Sequence, residues 1–255
     1  MSPARSSGGD GFDVRSLSST YPDGLRLGEH DHPWGQLVYA RTGVMQVMTP
    51  GAAWTVPPTR AIWLPPRRVH QIAMQGEVAM RTLYIAPERA APLPAEAAAL
   101  EVEPLLRELI LHVLTIGMLD PRQPEHGRLA GVLIDRIVAA RPMDLYLPWP
   151  SDPRAAEVAE RLKAAPGERI DIADLANSAG ASLRTLQRLF LAQTGLTIEA
   201  WRQKARLVQA ASLLSLGASV TNTAADCGYD SLSAFIAAFQ RQFGVTPGRY
   251  RPARL

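Results

Sequence analysis

Hydrophobic residues in the first third of the chain fall into short runs separated by glycine and proline. From about Leu17 to Pro87 these runs are QLVYA, VMQVM, AWTV, AIWLP, QIAM and MRTLYIA. Short apolar runs at regular intervals, divided by turn residues, are typical of antiparallel sandwiches and barrels. The pattern therefore predicts a small antiparallel sandwich or barrel over residues 17–93, preceded by a disordered tail at residues 1–16.

The spacing of apolar residues becomes helical after Pro94. The stretches EAAALEVEPLLRELILHVLTIG and PEHGRLAGVLIDRIVAAR each place apolar residues on one broad stripe. They predict a helical hairpin over residues 94–141, which packs on the barrel or forms one side of a homodimer. Residues 142–153 contain four prolines in twelve positions. Helices and central strands do not tolerate that density, so we expect a linker there.

Residues 154–255 contain one pattern twice: a short helix, a turn with glycine and a longer helix. The first copy is DIADLANSAG followed by ASLRTLQRLFLAQTG, and the second is VTNTAADCGY followed by DSLSAFIAAFQRQFG. Small residues at each turn allow two helices to cross closely, as a helix-turn-helix requires. We expect Ser182 and Asp230 to cap the longer helices. The whole chain is thus predicted to be an α+β multidomain protein with a C-terminal all-α tandem helix-turn-helix domain.

One exposed face of the first longer helix has the chemistry of base recognition. Arg184, Gln187 and Arg188 are three and four positions apart, so their side chains project together. Arginine can pair with the O6 and N7 atoms of guanine, and glutamine with the edge of adenine. A solvated helix face with ordinary charges would look the same on one helix alone, but the repetition of the pattern favours DNA binding.

Charge and composition narrow the class of protein further. The formal net charge is +3, and residues 1–150 hold 14 basic and 15 acidic residues, whereas the remainder holds 13 and 9. This excess suits a C-terminal domain that binds a polyanion. The single cysteine, Cys227, excludes an intramolecular disulfide framework, and we expect it to be a buried structural residue. Because no apolar run is long enough to cross a bilayer, we expect a cytoplasmic protein without membrane contact.

The C-terminal motifs resemble a known family. LANSAGASLRTLQRLFLAQTG, RLVQAASLL and AADCGYDSLSAFIAAFQRQFGVTPGRYR are similar to the AraC/XylS family of bacterial regulators, over about residues 154 to 252. The resemblance implies two helix-turn-helix units joined by a helix from about Thr197 to Gly217. It also implies double-stranded operator DNA as a partner, a homodimer, and RNA polymerase as a second partner if the protein is an activator.

The resemblance also assigns roles to individual residues. In the first unit it implies base contacts for Arg184, Gln187 and Arg188, and a phosphate contact for Thr185. The second unit differs, because the family commonly has polar or basic residues where this chain is largely apolar. Its expected DNA contacts, to phosphates and thymine methyl groups, come from Ser231, Leu232, Ser233 and Ile236.

The N-terminal half resembles the cupin motifs. In HDHPWGQLVYARTG, His30 and His32 stand at the histidine positions of the first motif and Gln36 at its acidic position; in PPRRVH, His70 stands at the histidine of the second. Residues two apart share a strand face, so His30 and His32 can point together. The resemblance implies an antiparallel β-barrel of the jelly-roll type, with a divalent metal site or a polar floor for a small-molecule effector. Hydrogen bonding within a core is the alternative.

Three of the tryptophans lie in the N-terminal half of the sequence. Trp34, Trp54 and Trp63 could line an effector pocket, although a core position is more common for tryptophan.

We expect a regulator and no enzyme. A metal-dependent cupin enzyme with an attached DNA-binding domain is the main alternative, and a DNA-repair methyl acceptor is disfavoured because Cys227 is the sole cysteine. The HxHxxxQL and PPxRAIWLPP stretches resemble regulators of efflux-type transport genes.

Overall fold

The computed structural model describes residues 11–58 and 60–251 of the chain. The strands are β1 (Val14–Tyr21), β2 (Arg26–His30), β3 (Gly35–Ala40), β4 (Val44–Thr49), β5 (Ala52–Val56), β6 (Arg60–Leu64), β7 (His70–Gln75), β8 (Val78–Ile85), β9 (Ala98–Glu101), β10 (Met118–Leu119), β11 (Pro142–Met143) and β12 (Tyr146–Pro148). The helices are α1 (Pro87–Ala90), α2 (Pro104–Ile116), α3 (Pro124–Ala139), α4 (Pro153–Ala164), α5 (Ile172–Ser178), α6 (Leu183–Thr194), α7 (Ile198–Ser215), α8 (Val220–Asp226), α9 (Leu232–Phe243) and α10 (Pro247–Tyr250).

The chain divides into two compact units. The first unit extends to Thr49 and continues from Val56 to Met143; the second consists of Pro50–Thr55 and the chain from Asp144 onward. Among the described residues, no helix combines the length and the hydropathy needed to cross a membrane.

The first unit is built on antiparallel sheets. Seven strands form one sheet in the order β10-β1-β8-β3-β6-β9-β11, and β4, β7 and β2 are neighbours in another. Helices α2 and α3 pack on the larger sheet, where Ile110 and Leu133 join Leu37, Trp63 and Leu83 in one buried cluster. Burying these apolar side chains stabilises the unit by about 25 cal/mol per Å² of surface removed from water. The predicted antiparallel fold class is confirmed.

Local structure in the first unit differs from the sequence-based predictions at two places. Strand β1 begins at Val14, which pairs with Ile85, so the predicted tail is wrong for residues 14–16; residues 1–10 of that tail lie outside the described part. Residues 98–101, predicted to be helical, form β9 because their backbone pairs with β6 and with β11. The sheet edge outweighs the helix propensity of the alanines in this segment.

The predicted linker at residues 142–153 also contains regular structure. Pro142 and Met143 form an edge strand that pairs with β9, and Tyr146–Pro148 pairs with β5. Proline is tolerated at a sheet edge because the missing N–H leaves no broken ladder inside the sheet. The linker is therefore an ordered part of the chain, divided between the two units after Met143.

The described part of the second unit consists mainly of the seven helices α4 to α10, with α7 at the centre. Helix α7 matches the predicted connecting helix, and Thr197 caps it by accepting a hydrogen bond from the Ala200 amide at 3.2 Å. Helices α5 and α6 form the first helix-turn-helix, and α8 and α9 form the second. The fold class predicted for this half is confirmed.

The cap of α9 is a correction to the sequence-based prediction. Ser231, and not Asp230, accepts the hydrogen bond from the Ala234 amide, at 3.4 Å. Asp230 stands one residue too early to reach the orphan amides of the first turn. Its carboxylate instead pairs with Arg169 at 3.1 Å.

Candidate functional site

Helix α6 is defined at both ends by its sequence. Ser182 caps it by accepting a hydrogen bond from the Thr185 amide at 3.2 Å, and Gly195 ends it in the left-handed conformation with φ 72°. Leu186 and Phe190 are fully buried, and the Phe190 ring packs edge-on against Trp201 with 5.7 Å between ring centroids. Burial of one stripe fixes which face of the helix remains in solvent.

The solvent face of α6 contains the three predicted base-reading residues. Arg184, Gln187 and Arg188 are all exposed. Thr185 is half-buried, and its hydroxyl lies 2.9 Å from the Ser182 hydroxyl, within the helix cap. The free side chains thus lie together on the first half of the helix, which is the part of a recognition helix that enters the major groove.

Helix α9 presents a different surface. Phe235, Phe239 and Phe243 form its buried stripe, as predicted. On the other side Leu232 is 43% exposed and Ile236 is half-buried. Ser231 and Ser233 are exposed, and their hydroxyls lie 2.8 Å apart. The first half of this face offers apolar contact and hydroxyl groups, and its exposed amide and guanidinium, at Gln240 and Arg241, lie only in the second half of the helix.

Two arginines of α7 hold the loop between α4 and α5, a role that the sequence analysis did not predict. Arg202 is buried and donates to the carbonyls of Glu168 and Ile170; Arg206 donates to the Pro166 carbonyl at 2.8 Å. Burial lowers the pKa of Arg202. These bonds satisfy loop carbonyls that would otherwise be orphaned, so the two arginines anchor the loop that leads into the first helix-turn-helix.

Cys227 is a structural residue in the turn of the second helix-turn-helix. Its side chain is fully buried, and burial, together with the nearby Asp226 carboxylate, raises its pKa to about 12. A thiol with so high a pKa is protonated at neutral pH and is a poor nucleophile. The geometry therefore gives no support to a methyl-acceptor function.

The histidines of the predicted cupin motifs come together in the first unit. His30 lies on β2 and His70 opposite it on β7, and their ring centroids are 4.3 Å apart; His32 is 5.3 Å from His70. One ring nitrogen from each histidine can be chosen so that all three lie within 4.8 Å of one another. The three histidines that the two cupin-like motifs mark therefore form a single cluster in the structure.

Backbone carbonyls orient all three rings in the same way. The Nδ1 atoms of His30, His32 and His70 lie 2.8, 2.7 and 2.8 Å from the carbonyl oxygens of Gly28, Trp34 and Arg68. A carbonyl only accepts, so each Nδ1 must carry the proton. In the neutral rings each Nε2 then has a free lone pair, which is the arrangement that metal-binding histidines adopt.

The oxygen donor of the cluster is Gln36, which lies on β3. Its Oε1 atom is 3.0 Å from the His32 Nε2, and its Nε2 donates to the Tyr84 hydroxyl at 3.3 Å. In this orientation of the amide, Oε1 and Nε2 of a neutral His32 are both acceptors, with no proton between them. Two acceptors at that distance fit as neighbouring ligands of one cation. An amide flip would instead make Gln36 a donor to His32.

The Nε2 atom of His70 provides a second observation. It is buried and has no hydrogen-bond partner among the described residues. Burial lowers the pKa of His70 to about 4, so the ring is neutral at pH 7 and keeps this lone pair. A buried acceptor without a partner costs about 1–3 kcal/mol, a cost that a bound cation would offset. The donor set therefore fits a divalent transition metal.

The cluster borders an open cavity of about 1020 Å³ within the first unit. The lining is apolar along its sides, and Glu29 and Asp31 add carboxylates to it. The lining residues are Leu17, Ser19, Tyr21, Leu27, Gly28, Glu29, His30, Asp31, His32, Gln36, Ile72, Met80 and Tyr84. Sequence reasoning missed Tyr84, which could have been found only from its cross-strand register with Gln36.

The three tryptophans considered as pocket residues are core residues. Trp34, Trp54 and Trp63 are at most 8% exposed, and none lines the large cavity as described. The indole of Trp63 donates to the Pro94 carbonyl at 2.8 Å. The preferred interpretation of these residues is confirmed.

Comparison with known proteins agrees with both halves of this description. Residues 175–253 match the family model of a helix-turn-helix domain, and residues 12–166 match that of an AraC-like ligand binding domain. The HTH-type transcriptional regulator NimR of Escherichia coli is 34% identical over 228 residues, which cover 89% of this chain and 83% of NimR.

Two further similar proteins each cover less than half of this chain. The HTH-type transcriptional regulator RipA of Corynebacterium glutamicum is 34% identical over 108 residues, which cover 42% of this chain and 33% of RipA. A solved structure of the DNA-binding domain of AdpA with a target DNA is 37% identical and covers 40% of this chain and 91% of that one, with a TM-score of 0.36. The chain belongs to the AraC family of DNA-binding transcriptional regulators and combines an AraC-like ligand-binding domain with a helix-turn-helix domain.

Proposed function

We propose that this regulator recognises its operator chiefly through Arg184, Gln187 and Arg188 of α6, whereas α9 contacts phosphates and thymine methyl groups. The exposed face of α6 supports this division most directly. It presents two guanidinium groups and one amide to solvent. The apolar surface of α9 around Leu232 supports the lesser role of that helix. Two recognition helices on one face of DNA would contact segments about 34 Å apart.

The Arg188→Ala variant tests this assignment. Loss of a bidentate contact to guanine should weaken binding to the preferred site by about 1–3 kcal/mol and relax the base preference at one position. The site is first obtained by selecting from random double-stranded DNA with the wild-type protein, and affinity is then measured by fluorescence anisotropy. Arg161→Ala, on α4, is the control because it removes the same charge from an exposed helix. Unchanged affinity and base preference for Arg188→Ala would contradict the assignment.

A small-molecule effector in the cavity is the second part of the proposal. Glu29 and Asp31 are the charged lining residues apart from the histidines, so without a bound metal the described cavity favours an uncharged or cationic effector over an anion. An effector that binds one conformation better shifts the population towards it, and so changes the fraction of protein competent for DNA binding. Mapping of chromosomal sites bound by the protein would identify the regulated genes; efflux-type transport genes are our proposed targets.

A divalent metal in the cavity floor is the third part. His30, His32 and His70 would supply nitrogen ligands and Gln36 an oxygen ligand. A bound ion would supply a Lewis-acidic anchor for a donor atom of the effector. The buried Nε2 atom of His70 and the short separation of two acceptors at His32 and Gln36 support this site.

We also propose that the protein acts as a homodimer through the helical hairpin, and contacts RNA polymerase if it activates. Leu105 on α2 and Val138 on α3 are 55% and 51% exposed, so the hairpin presents apolar side chains that a second copy of the chain would cover. Val138→Glu should lower the dimer fraction in sedimentation velocity at least about 10-fold, since it would bury a charge at the seam. Leu216→Glu, at an equally exposed apolar residue of the second unit, is the control. A dimer fraction that Val138→Glu leaves intact would exclude this seam.

A further inference from the structure

Residues 144–149 are held by the backbone of the segment Pro50–Thr55, with which they share the second unit. The Thr55 amide donates to the Leu145 carbonyl at 2.9 Å, and the Trp149 amide donates to the Gly51 carbonyl at 2.8 Å. Tyr146 pairs with Trp54 in register, and their rings are 5.0 Å apart. The path of residues 144–149 is therefore fixed from this side by β-ladder geometry.

Side chains of α7 hold the same residues from the helical side. The Trp201 indole donates to the Pro148 carbonyl at 2.7 Å. The Lys204 ammonium lies 4.2 Å from the centroid of the Tyr146 ring and 2.7 Å from a carboxylate oxygen of Asp144. Only 15% of the Lys204 side chain is exposed, so this ion pair is shielded from solvent more than a typical surface pair.

The Asp144 carboxylate connects two helices that perform different tasks. One oxygen accepts from Lys204 on the connecting helix α7, and the other accepts from the Gln242 amide on the last turn of α9. Charge-assisted hydrogen bonds of this kind are stronger than neutral ones and have narrower geometry. A single carboxylate thus fixes the end of the second recognition helix to the helix that leads to the first.

We propose that Asp144 is a positioning residue for operator recognition, which sets the separation of the two DNA segments that α6 and α9 contact. Without its carboxylate, Gln242 and Lys204 lose their common partner, and α9 can tilt on its phenylalanine stripe. Because Pro50–Thr55 holds the backbone next to Asp144, a displacement of that segment would also move this residue. The inference rests on the proposed DNA recognition by both helices.

The test compares full-length Asp144→Asn with the wild type on DNA probes that differ in spacing. Four DNA probes are used. Three are the site selected by the wild type, that site with one base pair inserted between its two segments, and that site with one base pair removed. The fourth is the selected site with a scrambled sequence in the DNA segment that α9 contacts. Glu160→Gln, at an exposed residue of α4, is the control because it removes one negative charge from the same unit. Thermal unfolding checks that each variant is folded, and Lys204→Met, which removes the other partner, is measured in parallel.

Asp144→Asn should bind the unchanged site about 10-fold more weakly, and should discriminate less between the three spacings. On the scrambled probe it should match the wild type, because α6 is unaffected. Lys204→Met should reduce spacing discrimination in the same direction. If Asp144→Asn and Lys204→Met both discriminated between the three spacings as strongly as the control Glu160→Gln, the positioning role would be overturned. A wild type that selects no site at all would overturn the proposed function itself, which is a separate and recognisable result.

Discussion

One divalent ion per chain is the expected stoichiometry when the purified protein is titrated with Co²⁺, and His70→Ala should lower the affinity at least about 100-fold. Three histidine nitrogens whose Nδ1 protons are already donated to carbonyls are prepared for coordination, since no ring has to turn or change tautomer. Visible absorption of the bound Co²⁺ reports the site directly and needs neither effector nor operator. Zn²⁺ should displace Co²⁺ in competition, in line with nitrogen-rich ligand sets.

The controls separate coordination from a general effect of losing a histidine. His112→Ala, at an exposed residue of α2, should leave stoichiometry and affinity unchanged. Gln36→Glu should raise the affinity, because a carboxylate is a stronger ligand than an amide. Equal binding by wild type and His70→Ala would show that the cluster is only a polar floor of the cavity, and that Gln36 takes the flipped orientation in which it donates to His32.

Strand positions in the first unit could be predicted because their signal is local. The runs QLVYA and MRTLYIA are short, largely apolar and flanked by turn residues, and they correspond to β3 and β8. The linker could not be predicted in the same way. Its prolines exclude a helix or a central strand, but the pairing of Tyr146 with Trp54 depends on a residue 92 positions earlier, and no pattern within the segment indicates it.

The candidate functional residues divide along the same line. Arg184, Gln187 and Arg188 could be proposed from the sequence because helical periodicity alone places them on one face. The histidines were found because two motifs mark them. Tyr84, Arg202 and Asp144 act through partners that are distant in sequence, at Gln36, Glu168 and Gln242 respectively. Their residue types are ordinary for their elements, so only the register of strands and the packing of helices shows what they contact.

Gly228→Ala should destabilise the second unit by about 3 kcal/mol or more, which is a large part of the stability of a typical domain. Gly228 ends α8 at φ +74°, a conformation that costs an L-residue about 1–2 kcal/mol. A Cβ atom there would also lie 2.6 Å from the Gly167 oxygen and 2.9 Å from the Gly167 Cα. These are backbone atoms, so no side-chain rotation can relieve the overlap.

The first helix-turn-helix provides the matched control for this prediction. Gly180 occupies the equivalent turn at φ +69°, but a Cβ atom there would meet nothing within 4 Å. Gly180→Ala should therefore cost only the roughly 1–2 kcal/mol of the left-handed backbone conformation, and the difference between the two variants measures the contact with Gly167. Gly167→Ala completes the comparison: its Cβ would lie 2.4 Å from the Asp226 carbonyl oxygen, without a positive φ to add to the cost.

Urea denaturation followed by far-ultraviolet circular dichroism gives the three free energies of unfolding. If Gly228→Ala and Gly180→Ala lost equal stability, the close approach of the α4–α5 loop to the second turn would make no contribution. If the expected order holds, this contact anchors the second helix-turn-helix to the α4–α5 loop, because the two backbones approach too closely there for any side chain to be accommodated.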